Sequence, residues 1–298
     1  MKIGVDIGGS HIAIGLVDDE GKIIVKKEKN MNSKDRENIE KFIEENIAIS
    51  INNILKEKEL HQEQIELIGI ACPGTLTENE IIRANNLGIY NLNLVERLQR
   101  YFSIPIKMLN DAKCAGLCEK KYGALKEFDD AIYVGLGTGI GGAVFMNGKL
   151  LKPKKYAGTE IGHTVIRING TKCACGRNGC FETYASMKRL RSKLTERLNL
   201  SNDLDGEILF ELVKRNLEAV DDILTEYAND LVEGLINLVN IFEPEVICIG
   251  GSYVYHTDIL AEKVEQAIKN AKPYNREMPR IVVAEFLNDS GIIGSTLI

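Results

Sequence analysis

The chain has 298 residues, 44% of them apolar, seven cysteines and a formal net charge of −6. That length and apolar share suit one large or two ordinary domains with a well-buried core, and no apolar run approaches the roughly 20 residues of a membrane helix. The acidic balance offers no positive field to nucleic acid, and an odd cysteine count with four thiols in apolar contexts (Cys72, Cys114, Cys118, Cys248) argues against a disulfide framework.

Met1 to Val5 enters a strand pattern directly, with no basic region and cleavage site, so a cytoplasmic protein acting on a small molecule is expected. "KIGVDIG", "HIAIGLVD" and "KIIVKKEK" alternate around Gly8-Gly9-Ser10 and Asp19-Glu20-Gly21, which predicts an antiparallel meander. The first turn either is an ordinary hairpin or presents backbone N–H groups to a phosphate. In the second case Asp6 suits a magnesium ion, directly or through water. With Ser33 as N-cap, Ile39, Phe42, Ile43, Ile47, Ile51, Ile54 and Leu55 recur at helical spacing.

A strand in "IELIGIACPG", a helix around "NLVERLQRYF" and a strand "PIKMLND" follow. The last delivers Asn110 and Asp111 at a strand's C-terminal end, where α/β sheets expose functional groups. Asp111 is a candidate general base for phosphoryl transfer to an alcohol; the other reading is a cap for the helix beginning at Ala112.

"DAIYVGLGTGIGGAVFMNGKLL" repeats the opening design about 130 residues later: strand, glycine turn, strand, an Asn147-Gly148 hairpin and another strand. Two related domains with a cleft between them are expected. Gly137 to Gly142 fits G-x-G-x-x-G, but "GAVFMNG" is a strand where a dinucleotide site needs a helix, so a phosphate turn or a plain hairpin remains.

His163, Cys173, Cys175 and Cys180 are spaced His-x9-Cys-x-Cys-x4-Cys, with Gly176 and Gly179 between the thiols. Four N/S donors in a reducing compartment point to a closed tetrahedral zinc site, which is structural because no coordination position is left for water; idle thiols are the alternative. A metal-tied loop would hold Glu160 and Glu182 rigid enough to discriminate sugar hydroxyls, whereas otherwise they are surface charges. The remaining chain reads as helices Met187 to Leu200, Ile208 to Asn216 and Ala219 to Phe242, then strand "EVICIGG", a helix from Asp258, strand "RIVVAEF" and a short closing helix. Gly250-Gly251 offers a bare backbone to a nucleoside or is a simple strand exit.

"DIGGS", "CPG" at Cys72 to Gly74, "ANNLG" at Ala84 to Gly88, "ND" at Asn110-Asp111, "GLGTGIGG", "EIGH" and "CACGRNGCFE" together make the chain resemble the ROK sugar kinases, which include bacterial glucokinases. The resemblance implies a two-domain actin/hexokinase-like (ribonuclease H-like) α/β fold with an interdomain cleft. It places residues 1–110 with 284–298 in the smaller domain and 111–283 in the larger, which carries the zinc loop. It further implies an ATP-dependent hexose kinase using Mg2+ and structural Zn2+, most simply a glucokinase acting at O6, and a homodimer. Asp111 becomes the base, and Gly74, Asn86, Asn110, Glu160, His163 and Glu182 surround the sugar, with His163 also a zinc ligand. Gly8, Gly9, Ser10, Gly137, Thr138 and Gly139 become phosphate turns, and Gly250 and Gly251 fall near adenosine.

Ser10 stands where the family usually has Thr, Asn85 where Pro is frequent, and "GIY" at Gly88 to Tyr90 where glucokinases often have "PGW". These departures leave N-acetylmannosamine, N-acetylglucosamine, allose, fructose or a glucoside as alternative substrates. The family's repressors carry a helix-turn-helix ahead of the kinase-like body, and with the sequence opening on the first strand a repressor is not expected. A nucleic-acid-binding zinc module lacks the neighbouring basic and aromatic residues. A non-catalytic sugar sensor is the remaining alternative.

Overall fold

Alternating apolar residues set the first strands: β1 (Lys2–Ile7), β2 (His11–Val17) and β3 (Ile23–Asn30) form the expected meander. The structure, a computed structural model, describes residues 1–152, 158–274 and 277–298. Helix α1 (Ile39–Glu57) buries Ile39, Ile43, Ile47, Ile51 and Ile54 along one face. Its entrance differs from the expectation: Asn32, not Ser33, caps the approach, its Oδ1 accepting from Lys34 N and Asp35 N at 2.9 and 3.1 Å. A 3-10 turn at Asp35–Asn38 then leads into the helix.

Strand β4 (Ile68–Cys72) is buried at every position, as a strand covered on both faces must be. A three-stranded excursion of β5 (Thr75–Leu76), β6 (Ile81–Ala84) and β7 (Ile89–Leu92) follows, then α2 (Leu94–Leu98), β8 (Ile106–Asn110) and α3 (Asp111–Tyr122). The excursion was not anticipated, because strands of two to four residues leave too little alternation to detect.

The second half opens with β9 (Ala131–Leu136) and β10 (Ile140–Met146), then β11 (Lys149–Leu150) after the Asn147-Gly148 turn. Helices α4 (Glu182–Ala185), α5 (Met187–Arg197), α6 (Gly206–Arg215) and α7 (Leu217–Phe242) come next. Strand β12 (Val246–Gly251), α8 (Thr257–Asn270), β13 (Arg280–Val283) and α9 (Ser290–Ser295) complete the order.

The internal repeat is a repeat of topology. In the first sheet β2 pairs antiparallel with β1, and β1, β4 and β8 run parallel; in the second, β10 pairs antiparallel with β9, and β9, β12 and β13 run parallel.

By contacts the chain divides into two compact units, Met1–Glu127 with Lys149–Thr159 and Glu285–Ile298, and Phe128–Gly148 with Glu160–Ala284. The expected division, 1–110 with 284–298 against 111–283, differs from this one at residues 111–127, which include α3, and at 149–159. That helix packs on α9, and Glu119 inside it accepts from the N–H groups of Glu285 and Phe286 at 2.9 and 2.8 Å, so α3 stays with the first sheet. In that unit Ile3, Val5 and Ile7 share a core with α1, while Ala13 and Val17 pack with Ile292 of α9. The core of the second unit joins Ile132 and Val134 of β9 and Ile247 and Ile249 of β12 to α5, α7 and α8.

Candidate active site and metal centre

Parallel strands end together, so β1, β4 and β8 bring their C-terminal residues to one sheet edge: Asp6 pairs in register with Ala71, and Cys72 with Asn110. Asn110 is the N-cap of α3. Its Oδ1 accepts from Lys113 N at 3.4 Å while its Nδ2 donates to Gly74 O at 3.4 Å. The capping role weighed for Asp111 therefore belongs to its neighbour; Asp111 Oδ1 accepts from Ala112 N at 2.8 Å. Burial first, and the Asp111 carboxylate second, push the Asp6 carboxyl up to about 7, with Lys26 opposing. A divalent cation between oxygen ligands is the partner that would restore its charge.

Gly8 N donates to His11 O at 2.9 Å, closing the first glycine turn. Arg36 donates through Nη2 to Gly9 O and through Nη1 to Asn86 O at 3.4 Å, so the turn and Asn86 share one guanidinium. Sequence reasoning missed Arg36, which stands in a polar, aperiodic segment with no motif to mark it.

In the second unit, Gly137 N donates to Gly139 O at 3.0 Å, and Gly137 O accepts from Lys188 N at 3.1 Å at the start of α5. Beside this turn lies a cavity of about 350 Å³, lined among others by Thr138, Lys188, Arg191, Thr195 and Ser252. Ser252 Oγ donates to Leu136 O at 3.3 Å, and the parallel register sets Gly251 opposite Leu136. A Cβ at Gly250 would meet the Tyr133 ring and one at Gly251 the Leu136 carbonyl oxygen, so both positions need a bare backbone.

Glu160 opens a 3-10 turn at Ile161–His163, its carbonyl accepting from His163 N at 3.1 Å. The chain then doubles back through bridges pairing Val165 with Cys180 and Lys172 with Asn178. Gly179 takes φ +83°, and a Cβ there would stand 1.7 Å from Arg167 O, so the return needs glycine. Arg167 donates to the buried Asp230 of α7 and lies 4.7 Å from the centre of the Tyr184 ring, whose hydroxyl accepts from Thr171 N at 2.6 Å. These contacts seat the loop on α7 and α4.

The loop brings the donor atoms of His163, Cys173, Cys175 and Cys180 within 4.8 Å of one another. Cys173 Sγ is 3.6 Å from His163 Nδ1, and Cys175 Sγ is 3.6 Å from Cys180 Sγ. Tetrahedral ligands at zinc–sulfur distances of about 2.3 Å lie roughly 3.8 Å apart, so the donor set fits such an ion. Burial, then hydrogen bonds from the Cys180 thiol to Cys175 and Cys173, push Cys180 up to about 12; a cation is what would hold three sulfurs here as thiolates. With Nδ1 on a metal, a neutral His163 ring carries its proton on Nε2 and can donate there. Glu182, the first residue of α4, turns one oxygen onto the glycine turn, where Oε2 accepts from Ile140 N at 3.0 Å.

Among the described residues no helix is long and apolar enough to cross a membrane. The glucokinase of Thermotoga maritima is 29% identical to this chain over 313 residues, covering 99% of this chain and 96% of that protein. The xylose repressor of Caldicellulosiruptor bescii is 27% identical over 300 residues, covering 96% of this chain and 72% of the repressor. Among solved structures, a ROK family glucokinase from Streptomyces griseus in complex with glucose and AMPPNP superposes with a TM-score of 0.82 at 25% identity, covering 99% of this chain and 97% of that one. The fold is accordingly of the actin/hexokinase-like class expected. The ROK family pattern matches residues 2–298, and the chain belongs to the ROK family.

Proposed function

We propose that this protein is an ATP-dependent hexose kinase that transfers the γ-phosphoryl group to O6 of its sugar, with glucose the first candidate. The chain is an ATP-dependent sugar kinase by its relatives, among them glucokinases matched over nearly its whole length. The observation that carries the assignment of chemistry is that Asp111, just past the C-terminal end of β8, lies at the same end of the sheet as Asp6 and near enough to raise its carboxyl, next to the Asn110–Gly74 hydrogen bond. In this reading Asp111 accepts the proton of the attacking hydroxyl. Magnesium, when bound, would neutralise phosphate charge, and Asp6 would hold it directly or through water.

The turns Gly8–Ser10 and Gly137–Gly139 would donate backbone N–H groups to phosphate oxygens, and Gly251 would border the nucleoside. Glu160, Glu182, Asn86 and Asn110 would accept from or donate to sugar hydroxyls, with His163 donating through Nε2. Zinc in the four-donor site would keep the loop's shape without entering the reaction. A homodimer in the cytoplasm belongs to the same proposal.

The repressors among the relatives favour a second reading, a sugar sensor without turnover. The carboxylates of Asp6 and Asp111 and the two glycine turns support catalysis instead. ADP release measured with glucose, mannose, fructose, allose, N-acetylglucosamine and N-acetylmannosamine separates the two: glucose should give the highest kcat/KM. Absence of sugar-stimulated ADP release throughout the panel would leave the sensor reading.

A further inference from the structure

We infer that Glu182 is a positioning residue for the nucleotide's phosphate turn, in addition to any contact it makes with sugar: its carboxylate holds the Ile140 N–H and so sets the shape of Gly137–Gly139. The inference rests on the reading of that turn as a phosphate site.

The turn is held at both ends. On its entry side Gly137 O accepts from Lys188 N, and on its exit side Ile140 N donates to Glu182 Oε2. The Gly137 N to Gly139 O bond closes the middle, leaving the N–H groups of Thr138 and Gly139 with no partner among the described residues. Donors already aimed by a rigid turn bind an anion without the entropic cost of ordering them first.

Gly139 shows how closely the carboxylate is applied. A Cβ at this position would stand 2.2 Å from Glu182 Oε2 and 2.9 Å from its Cδ, so only glycine lets the carboxylate lie against the turn. Glu182 Oε1 makes no hydrogen bond among the described residues, which leaves it for a second partner. Cys180, a member of the four-donor cluster, is two residues away, so the loop, Glu182 and the phosphate turn form one connected path.

Removing the acceptor leaves the Ile140 N–H without its side-chain partner, so on its exit side the turn is held only by the ladder of β9 and β10. The test is isothermal calorimetry of magnesium AMPPNP binding, without sugar, to the wild-type protein and to Glu182→Ala, Glu182→Gln, Gly139→Ala and the double variant Gly139→Ala/Glu182→Ala. Glu182→Ala should weaken binding about tenfold or more, the size of a lost charge-assisted hydrogen bond, while Glu182→Gln, whose amide oxygen can still accept, should stay within about threefold. Gly139→Ala should be weak by itself and should cost markedly less once the opposing carboxylate is gone.

Wild-type affinity in Glu182→Ala, or equal losses in the Ala and Gln variants, would overturn the inference. If Glu182→Ala does not fold, Gly139→Ala decides, since it presses on the same carboxylate: tight binding there would overturn the inference too. Failure of the wild-type protein to bind AMPPNP removes the nucleotide reading itself, an outcome distinct from any contrast among variants.

Discussion

Asp111 sits one residue beyond the cap of α3, at the same end of the first sheet as Asp6, whose carboxyl it helps to raise. Its Oδ1 is oriented by the Ala112 N–H at 2.8 Å. With Asp111 as the proposed base, Asp111→Asn keeps the shape and removes the proton acceptor, so kcat should fall by about 10²–10⁴ while the sugar dissociation constant changes little. Stopped-flow ADP release and calorimetry with the sugar alone check the two halves. Asp6 makes a pH prediction. Its carboxyl, near 3.8 when unfolded, is raised to about 7 when folded, so the folded state retains a proton the unfolded state gives up first. Its contribution to stability is therefore complete below about pH 4 and is lost as pH rises toward 7. In the presence of a chelator, melting temperatures between pH 5 and 8 should fall more steeply for the wild type than for Asp6→Asn; parallel curves would show that Asp6 does not titrate there. Asp6 and Asp111 were legible from short motifs at strand ends, whereas Arg36 became visible only through its bonds to Gly9 and Asn86.

The loop from His163 to Glu182 has almost no regular structure and two isolated bridges, so its order depends on what ties its ends. Among the described residues, the ties are the four donors, the Arg167–Asp230 pair and the Tyr184 contacts. With the proposed zinc and sugar contacts, stripping the four-donor site of metal, or making Cys175→Ser, should raise the sugar dissociation constant by about tenfold or more, since Glu160 and Glu182 would lose their fixed positions and their charge-assisted hydrogen bonds to hydroxyls would weaken. Calorimetry on metal-free protein tests this, with one equivalent of zinc added back to restore affinity. The donor spacing announced the cluster because four N/S ligands within 18 residues are rare without a metal role. Asp230 was not announced: an aspartate within a long helix looks solvent-facing until the Arg167 side chain is seen to reach it.

Across the whole chain, the same strand arrangement is built twice, and the C-terminus returns to complete the first copy. Ile292 of α9 is fully buried beside Ala13 and Val17, although nearly 280 residues of chain separate them. Ile292→Ala should cost about 2–5 kcal/mol of stability, read as a lowered urea midpoint, because the cavity lies between elements that cannot both relax into it. The sequence by itself determined the two glycine-turn hairpins, the amphipathic helices, the strand end bearing Asn110-Asp111 and the metal-donor spacing. Each of these depends on neighbours a few residues apart, and local periodicity records them. The tertiary structure decided that α3 and α9 belong to the first sheet, that Gly250 faces Tyr133, that Asn110 takes the cap, and that Glu182 reaches the Ile140 amide. Those outcomes are set by which surfaces meet when distant segments pack, and no local pattern encodes such meetings.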